Sequence, residues 1–119
     1  MDRVAIAWRE DPHTAKAVLP ALRYIATSDH VFLLAGLRKG TPTPGIPEVL
    51  AERHVSAEMH LTSVGTGAFG EALLAKVHEL RADLLVMGAY ANSSLHNLVY
   101  GGVTQFMLNH ADFPILMRY

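Results

Sequence analysis

The chain has 119 residues, half of them apolar and 18% charged, which predicts one globular domain with a substantial core, spanning residues 1–119. Its formal net charge of -1 gives no general attraction to nucleic acid or to anionic lipid. Without cysteine it forms no disulfide, thiolate metal site or cysteine nucleophile. The N-terminal residues do not resemble a signal peptide and the apolar runs are too short to span a bilayer, so we expect a cytoplasmic protein.

The first half of the chain alternates between short apolar runs and a helical pattern. Residues 4–8 predict a strand that is buried on both faces. Asp11 and Pro12 suit the start of a helix, which Pro20 is expected to kink. The apolar residues at helical spacing are Ala15, Val18, Leu19, Leu22 and Ile25.

Residues 31–35 predict a second buried strand, followed by a loop over 36–45 that is rich in glycine and proline. A short helix is expected over 46–54. Residues 58–64 alternate between apolar and polar, which favours an outer strand with one wetter face. Its two faces carry Met59 and Leu61 on one side, and His60 and Thr62 on the other.

The second half continues the alternation. A glycine-rich turn over 65–70 precedes a helix whose apolar face repeats every three to four residues. Apolar strands are predicted over 84–87 and over 115–118, with a helix over 103–110 between them. The order of strands and helices predicts an open, five-stranded, Rossmann-like parallel sheet with helices on both faces. In such folds ligands bind at the carboxyl ends of the strands.

Four other kinds of site are disfavoured by the sequence. Residues 65–70 match the dinucleotide pattern G-x-G-x-x-G, but they follow an outer strand and lack the acidic residue that should come about 20 residues later. The seven histidines show no metal-ligand spacing, so no metal site is expected. Ser93 and Ser94 lie outside a nucleophile elbow, and Trp8 is expected in the core rather than as a base-stacking platform.

The residues from Asp83 to Arg118 resemble those of the universal stress protein (UspA-like) family. Its nucleotide-binding members carry glycine, two residues, glycine, nine residues, glycine and then serine or threonine. Gly88 and Gly101 fit this pattern, whereas Ala91 stands where the second glycine belongs and Gly102 takes the serine or threonine position. Relatives also have an acidic residue after the first strand, where this chain has Arg9.

The resemblance implies a fold of the adenine nucleotide alpha hydrolase-like type and an adenine nucleotide, ATP or AMP, as ligand, with Mg²⁺ accompanying ATP. It implies contacts with phosphates and ribose at Gly88, Ala91, Gly101, Gly102, Val103 and Thr104, with Arg9 as a compensating charge. The departures at Ala91 and Gly102 predict binding weakened by about tenfold or more, because about 1.4 kcal/mol is a factor of ten.

Two alternatives remain open. One is a family member that has lost the nucleotide and acts as a dimeric interaction or regulatory domain, since relatives commonly dimerise through the last strand and residues 115–118 predict an apolar edge strand. The other is a slow ATPase, for which Glu10 and Asp11 are the acidic residues near the phosphate loop. Catalysis is the less favoured of the two, and no catalytic residue is assigned.

Overall fold

The chain forms a parallel five-stranded sheet with helices on both faces. A computed structural model describes residues 2–8, 12–37, 45, 48–53, 55–63, 69–88 and 102–118. The strands and helices follow one another as β1 (Arg3–Ala7), α1 (Pro12–Ala26), β2 (His30–Leu37), α2 (Glu48–Glu52), β3 (Glu58–Ser63), α3 (Phe69–Glu79), β4 (Leu84–Gly88), α4 (Gly102–His110) and β5 (Ile115–Arg118). The strand order is β3-β2-β1-β4-β5, which confirms the predicted fold class and the outer position of the third and last strands.

Strand β1 lies at the centre of the sheet. Ala5 stands between Phe32 of β2 and Leu85 of β4 in the parallel register. Val4, Ala5 and Ile6 are fully buried, as expected for a strand that is covered on both faces. Because successive side chains point to opposite faces, Val4 and Ile6 enter one core while Ala5 enters the other.

Each face of the sheet has its own apolar core. Helices α1 and α2 cover one face, and α3 and α4 cover the other. The first core includes Val4, Ile6, Trp8, Val18, Ile25, Leu33, Leu50 and Val86. The second includes Ala5, Phe32, Leu34, Leu73, Val77, Leu85, Met87 and Met107.

Helix α1 differs from its predicted apolar face. Leu19 is 55% exposed, so its assignment to the buried face was wrong. The helix instead turns Ala17 and Ala21, on either side of Val18, toward the sheet, where all three are fully buried. Alanine has a small side chain, which lets the helix backbone approach the strands. Pro20 lies within the continuous helix on its exposed side, where water can replace the hydrogen bond that proline does not donate.

The second strand and the second helix also differ from expectation. Strand β2 continues through Gly36, which pairs with Thr62, whereas the sequence placed Gly36 in a loop. Pairing with a second long strand extends β2, because each added residue gains ladder hydrogen bonds. Helix α2 ends at Glu52, before the predicted end at residue 54. In the edge strand β3, Met59 packs on the first core but Leu61 is 41% exposed.

Polar contacts tie β1 to β4 at the amino edge of the sheet. One carboxylate oxygen of Asp83 accepts hydrogen bonds from the backbone N–H groups of Asp2 and Arg3, each at 3.0 Å. The N–H of Asp83 donates to the carbonyl of Arg3 at 2.7 Å. Nε of Arg3 donates to the carbonyl of Leu80 at 2.7 Å, which joins β1 to the end of α3. Asp83 is therefore a structural residue that sets the start of two neighbouring strands.

Candidate functional site

The strand order reverses between β1 and β4. From β1 the chain proceeds to β2 and β3 on one side, and from β4 it proceeds to β5 on the other. Open α/β sheets bind ligands beside such a switch point, outside the carboxyl ends of the strands. Gly88 ends β4 at this edge, paired with Arg118 of β5. The candidate site is therefore the carboxyl edge of β1 and β4.

The described part of the chain contains four of the residues predicted for nucleotide binding. Gly88 is half-buried at the end of β4, and Gly102, Val103 and Thr104 form the first turn of α4. The crossover from β4 to β5 joins parallel strands, so α4 begins on the carboxyl side of the sheet. Gly102 is the first helical residue, so its N–H is among the four that lack an intrahelical acceptor. The predicted positions Arg9, Ala91 and Gly101 lie outside the described residues, as do Glu10, Asp11 and residues 65–68 of the dinucleotide-like pattern.

Trp8 is the residue at this edge that the site prediction missed. It follows the last residue of β1, and its backbone N–H donates to the carbonyl of Leu34 at 2.9 Å. The side chain is 8% exposed and belongs to the first core, which confirms its prediction as a core residue. Its Nε1 is shielded from solvent and has no hydrogen-bond partner among the described residues. The sequence indicates a donor in an apolar region here, because a tryptophan ends a buried strand, but it does not indicate whether that donor finds an acceptor.

A cavity of about 270 Å³ lies away from this site. It opens between the ends of α1 and α2 and the start of β2, which is at the amino edge of the sheet. Its lining residues include Leu22, Ile25, Asp29, Arg53 and Val55. Because ligands of such folds bind at the opposite edge, this cavity is not the predicted nucleotide site.

The described histidines occupy separate places in the fold. Nε2 of His78 lies 2.6 Å from Oδ1 of Asp112, joining α3 to the segment before β5. This hydrogen bond is the main reason that the pKa of Asp112 lies below its ordinary value of 3.8. Within the described ranges, no cluster of three or more histidine, aspartate or glutamate residues is suited to a metal ion. None of the described helices is long and apolar enough to cross a membrane.

A sequence model of the universal stress protein family matches residues 48–117, which is more than half of the chain. The chain belongs to the universal stress protein family. In a comparison with curated proteins, none matches the chain at a significant level. Membership therefore rests on the family model, and the solved structures show that the fold is shared.

Solved universal stress proteins have the same fold. One from Archaeoglobus fulgidus DSM 4304 is 21% identical with a TM-score of 0.78; the match covers 98% of this chain and 43% of that one. This chain therefore spans less than half of that relative. A universal stress protein in complex with cAMP is 17% identical with a TM-score of 0.69, with 99% and 97% covered. Another from Archaeoglobus fulgidus, in complex with dAMP, is 15% identical with a TM-score of 0.60, with 100% and 98% covered.

Proposed function

We propose that this universal stress protein domain binds an adenine nucleotide, AMP or ATP, at the carboxyl edge between β1 and β4. The observation that carries the proposal is the reversal of strand order between β1 and β4, beside which Gly88 ends β4 and Gly102 begins α4. Two relatives of the same fold are described as complexes with cAMP and dAMP, which supports an adenine nucleotide as the ligand. We place this role in a cytoplasmic stress response, carried out by residues 1–119 as one domain.

The phosphate would lie at the start of α4. The first four N–H groups of a helix have no partner within the helix and carry a partial positive charge, which favours an anion. Gly102 has no Cβ, so a phosphate can approach its backbone closely. Val103 and Thr104 follow in the same turn. With ATP, Mg²⁺ would accompany the phosphates, and Arg9 would supply positive charge after β1.

The departures from the family pattern predict weak binding. Ala91 adds a methyl group where nucleotide-binding members have glycine, and Gly102 lacks the hydroxyl of serine or threonine. The lost hydroxyl removes a hydrogen bond worth about 0.5–1.5 kcal/mol. If Ala91 adopts the left-handed backbone region, the strain adds roughly 1–2 kcal/mol. We therefore expect affinities at least tenfold below those of members that keep the pattern.

Calorimetric titration with AMP, and with ATP in the presence and absence of Mg²⁺, tests the proposal. We expect saturable binding that Ala91→Gly strengthens by about tenfold. The matched control is Ala75→Gly on the exposed side of α3, which removes a methyl group far from the phosphate and leaves the affinity unchanged. The absence of binding by both the natural chain and the Ala91→Gly variant would refute the nucleotide role.

A second function has its own observation, at the β5 edge of the sheet. Ile115, Leu116 and Met117 are half-buried in the outermost strand, and Leu108 of neighbouring α4 is 56% exposed. Apolar edge strands favour pairing with another copy, so we propose a homodimer through β5 as an interaction or regulatory surface. Light scattering tests it: Met117→Lys should give monomers, and Leu61→Lys on the opposite edge strand β3 should not. A monomeric natural chain would exclude this reading.

A further inference from the structure

The indole N–H of Trp8 is an unusual feature of the described structure. The side chain is 8% exposed, and Nε1 has no acceptor among the described residues. A buried donor without an acceptor has lost its bond to water without replacement, which destabilises the folded state. Unsatisfied groups of this kind are uncommon in folded proteins and call for a physical explanation.

Nε2 of His60 provides the comparison. This atom is also shielded from solvent and forms no hydrogen bond. It lies 3.4 Å from Oε1 of Glu58, however, so a small side-chain rotation would give it a hydrogen-bond partner. For Nε1 of Trp8, no hydrogen bond and no ion-pair neighbour is found among the described residues. The two residues also differ in location. Trp8 directly follows β1 at the switch point, whereas His60 lies within the edge strand β3.

We propose that the indole N–H of Trp8 donates a hydrogen bond to an uncharged acceptor of the bound ligand, namely a ring nitrogen of its purine base. The inference rests on the proposed nucleotide function and adds a base-recognition residue to it. Indole N–H is a donor only, so its partner must be an acceptor atom. A neutral ring nitrogen suits this place better than a phosphate oxygen, because Trp8 lies among apolar residues such as Val4, Ile6 and Val86, where a charge is costly to bury.

Binding must change the surroundings of the indole. Nε1 is almost inaccessible to solvent, so the base can reach it only if covering groups shift or the ring turns. Trp8 is the only tryptophan of the chain, and its fluorescence therefore reports this one position. We expect AMP and adenosine to shift the emission of the natural chain, and ribose 5-phosphate, which has no base, to leave it unchanged.

The substitution Trp8→Phe removes the donor and keeps an aromatic ring. We expect it to lower the affinity for AMP by about tenfold, measured by calorimetry. Without ligand, Trp8→Phe should lower the melting temperature, because part of a buried side chain is lost. The fall should be smaller than the loss of apolar contacts alone predicts, because the donor without an acceptor is removed as well. Ile25→Val, in the same core but at the amino-edge end of α1, serves as the control: it should lower stability without changing AMP affinity.

Deaza analogues of AMP identify the hydrogen bond on both the natural chain and Trp8→Phe. The analogue that lacks the paired ring nitrogen should bind both proteins equally, whereas the analogues that keep it should retain the difference. If Trp8→Phe does not fold, selective weakening of one of the 1-, 3- or 7-deaza analogues on the natural chain, with altered fluorescence, carries the test.

The outcomes separate this inference from the proposed function. If AMP does not bind the natural chain, the nucleotide function fails and the role of Trp8 fails with it. If AMP binds but Trp8→Phe binds it equally well, or all three deaza analogues bind the natural chain as AMP does, only the role of Trp8 is overturned.

Discussion

The two edges of the sheet differ in how their polar groups are satisfied. At the amino edge, the carboxylate of Asp83 binds the N–H groups of Asp2 and Arg3, and Arg3 in turn donates to the carbonyl of Leu80. At the carboxyl edge, Trp8 brings a buried donor that has no acceptor among the described residues. The polar groups named at the amino edge form hydrogen bonds within the protein, whereas the indole N–H at the carboxyl edge has no hydrogen-bond partner among the described residues.

Under the proposed nucleotide function, the hydrogen bonds of the amino edge contribute to stability alone, whereas Trp8 at the carboxyl edge contributes to ligand recognition. Substitutions at the amino edge should change the free energy of unfolding and leave nucleotide affinity as it is. Trp8→Phe should lower both stability and AMP affinity, with a larger effect on affinity than its effect on stability predicts. A parallel sheet makes this separation natural, because all its strands end at one edge and the loops there are free to vary in sequence.

The largest stability effect is expected near the start of α3, on the carboxyl side, where the structure is tightly packed. A Cβ at Gly70 would lie 2.9 Å from Cδ1 and Cγ of Phe106 in α4 and 3.1 Å from its Cβ. These atoms are close to the backbone of α4 and cannot move away cheaply. We expect Gly70→Val to lower the free energy of unfolding by about 2–3 kcal/mol, measured by urea denaturation.

The control for Gly70→Val is the same substitution combined with Phe106→Ala, which removes the ring that the new side chain meets. The double variant should be more stable than the sum of the two single effects predicts. Additive effects would mean that α3 and α4 move apart easily to make room for the new side chain. The helices on the carboxyl side would then be loosely packed.

The next effect tests the amino edge. Asp83→Ala removes an acceptor that serves two backbone N–H groups, so we expect a loss of about 1–2 kcal/mol in unfolding free energy; exposure to solvent limits the effect. Asp29→Ala, an exposed carboxylate at the same edge, is the matched control and should change stability little. AMP affinity should be the same in both variants. A drop in affinity for Asp83→Ala would show that the two edges are coupled.

Much of the fold could be predicted because strand burial leaves a strong pattern. Residues 4–8 and 84–87 are continuous apolar runs, and such runs in alternation with helices indicate a parallel sheet. The buried face of α1 could not be predicted as well. Leu19 is larger and more apolar than Ala17, yet the sheet excludes it, because close packing against strands selects small side chains.

The sequence predicts where the candidate site lies but not the contacts made there. The glycines of the family pattern and the alternation of elements indicate the carboxyl edge near Gly88 and Gly102. The unmet donor of Trp8 could not be read from the sequence, because whether a side-chain N–H finds an acceptor depends on residues distant in the chain. For the same reason, the effect of Ala91 on a ligand depends on a backbone conformation that its identity does not fix.

A smaller effect is expected where α3 ends. Arg81 has φ of 55°, which is in the left-handed region. It follows α3, and just beyond it the N–H of Ala82 donates to the carbonyl of Val77 at 3.1 Å, which caps the end of the helix. Glycine adopts this conformation without strain and is common there. We expect Arg81→Gly to raise the free energy of unfolding by about 0.5–1 kcal/mol, measured as a higher melting temperature. Arg81→Ala keeps the Cβ and should give no gain; an equal gain would point to removal of the arginine charge instead.

The smallest effect is a dependence on pH near the amino edge, where His78 contacts Asp112. The hydrogen bond from His78 holds the pKa of Asp112 in the folded state below its ordinary value of 3.8. A carboxyl group whose pKa falls on folding stabilises the folded state above the unfolded pKa, and the contribution disappears as the pH falls through the folded pKa. Asp112→Asn should therefore be slightly less stable than the natural chain near neutral pH, and the two should converge in acid.

Urea denaturation of both proteins, near neutral pH and well below 3.8, measures this convergence. In a His78→Gln background Asp112→Asn should lose its pH-dependent effect, because the hydrogen bond that lowers the pKa of Asp112 is gone. Both side chains are exposed, so solvent weakens their interaction and the effect should be smaller than that of Asp83→Ala. A larger effect at the exposed pair would mean that stability at the amino edge comes from side-chain charge rather than from the backbone hydrogen bonds of Asp83.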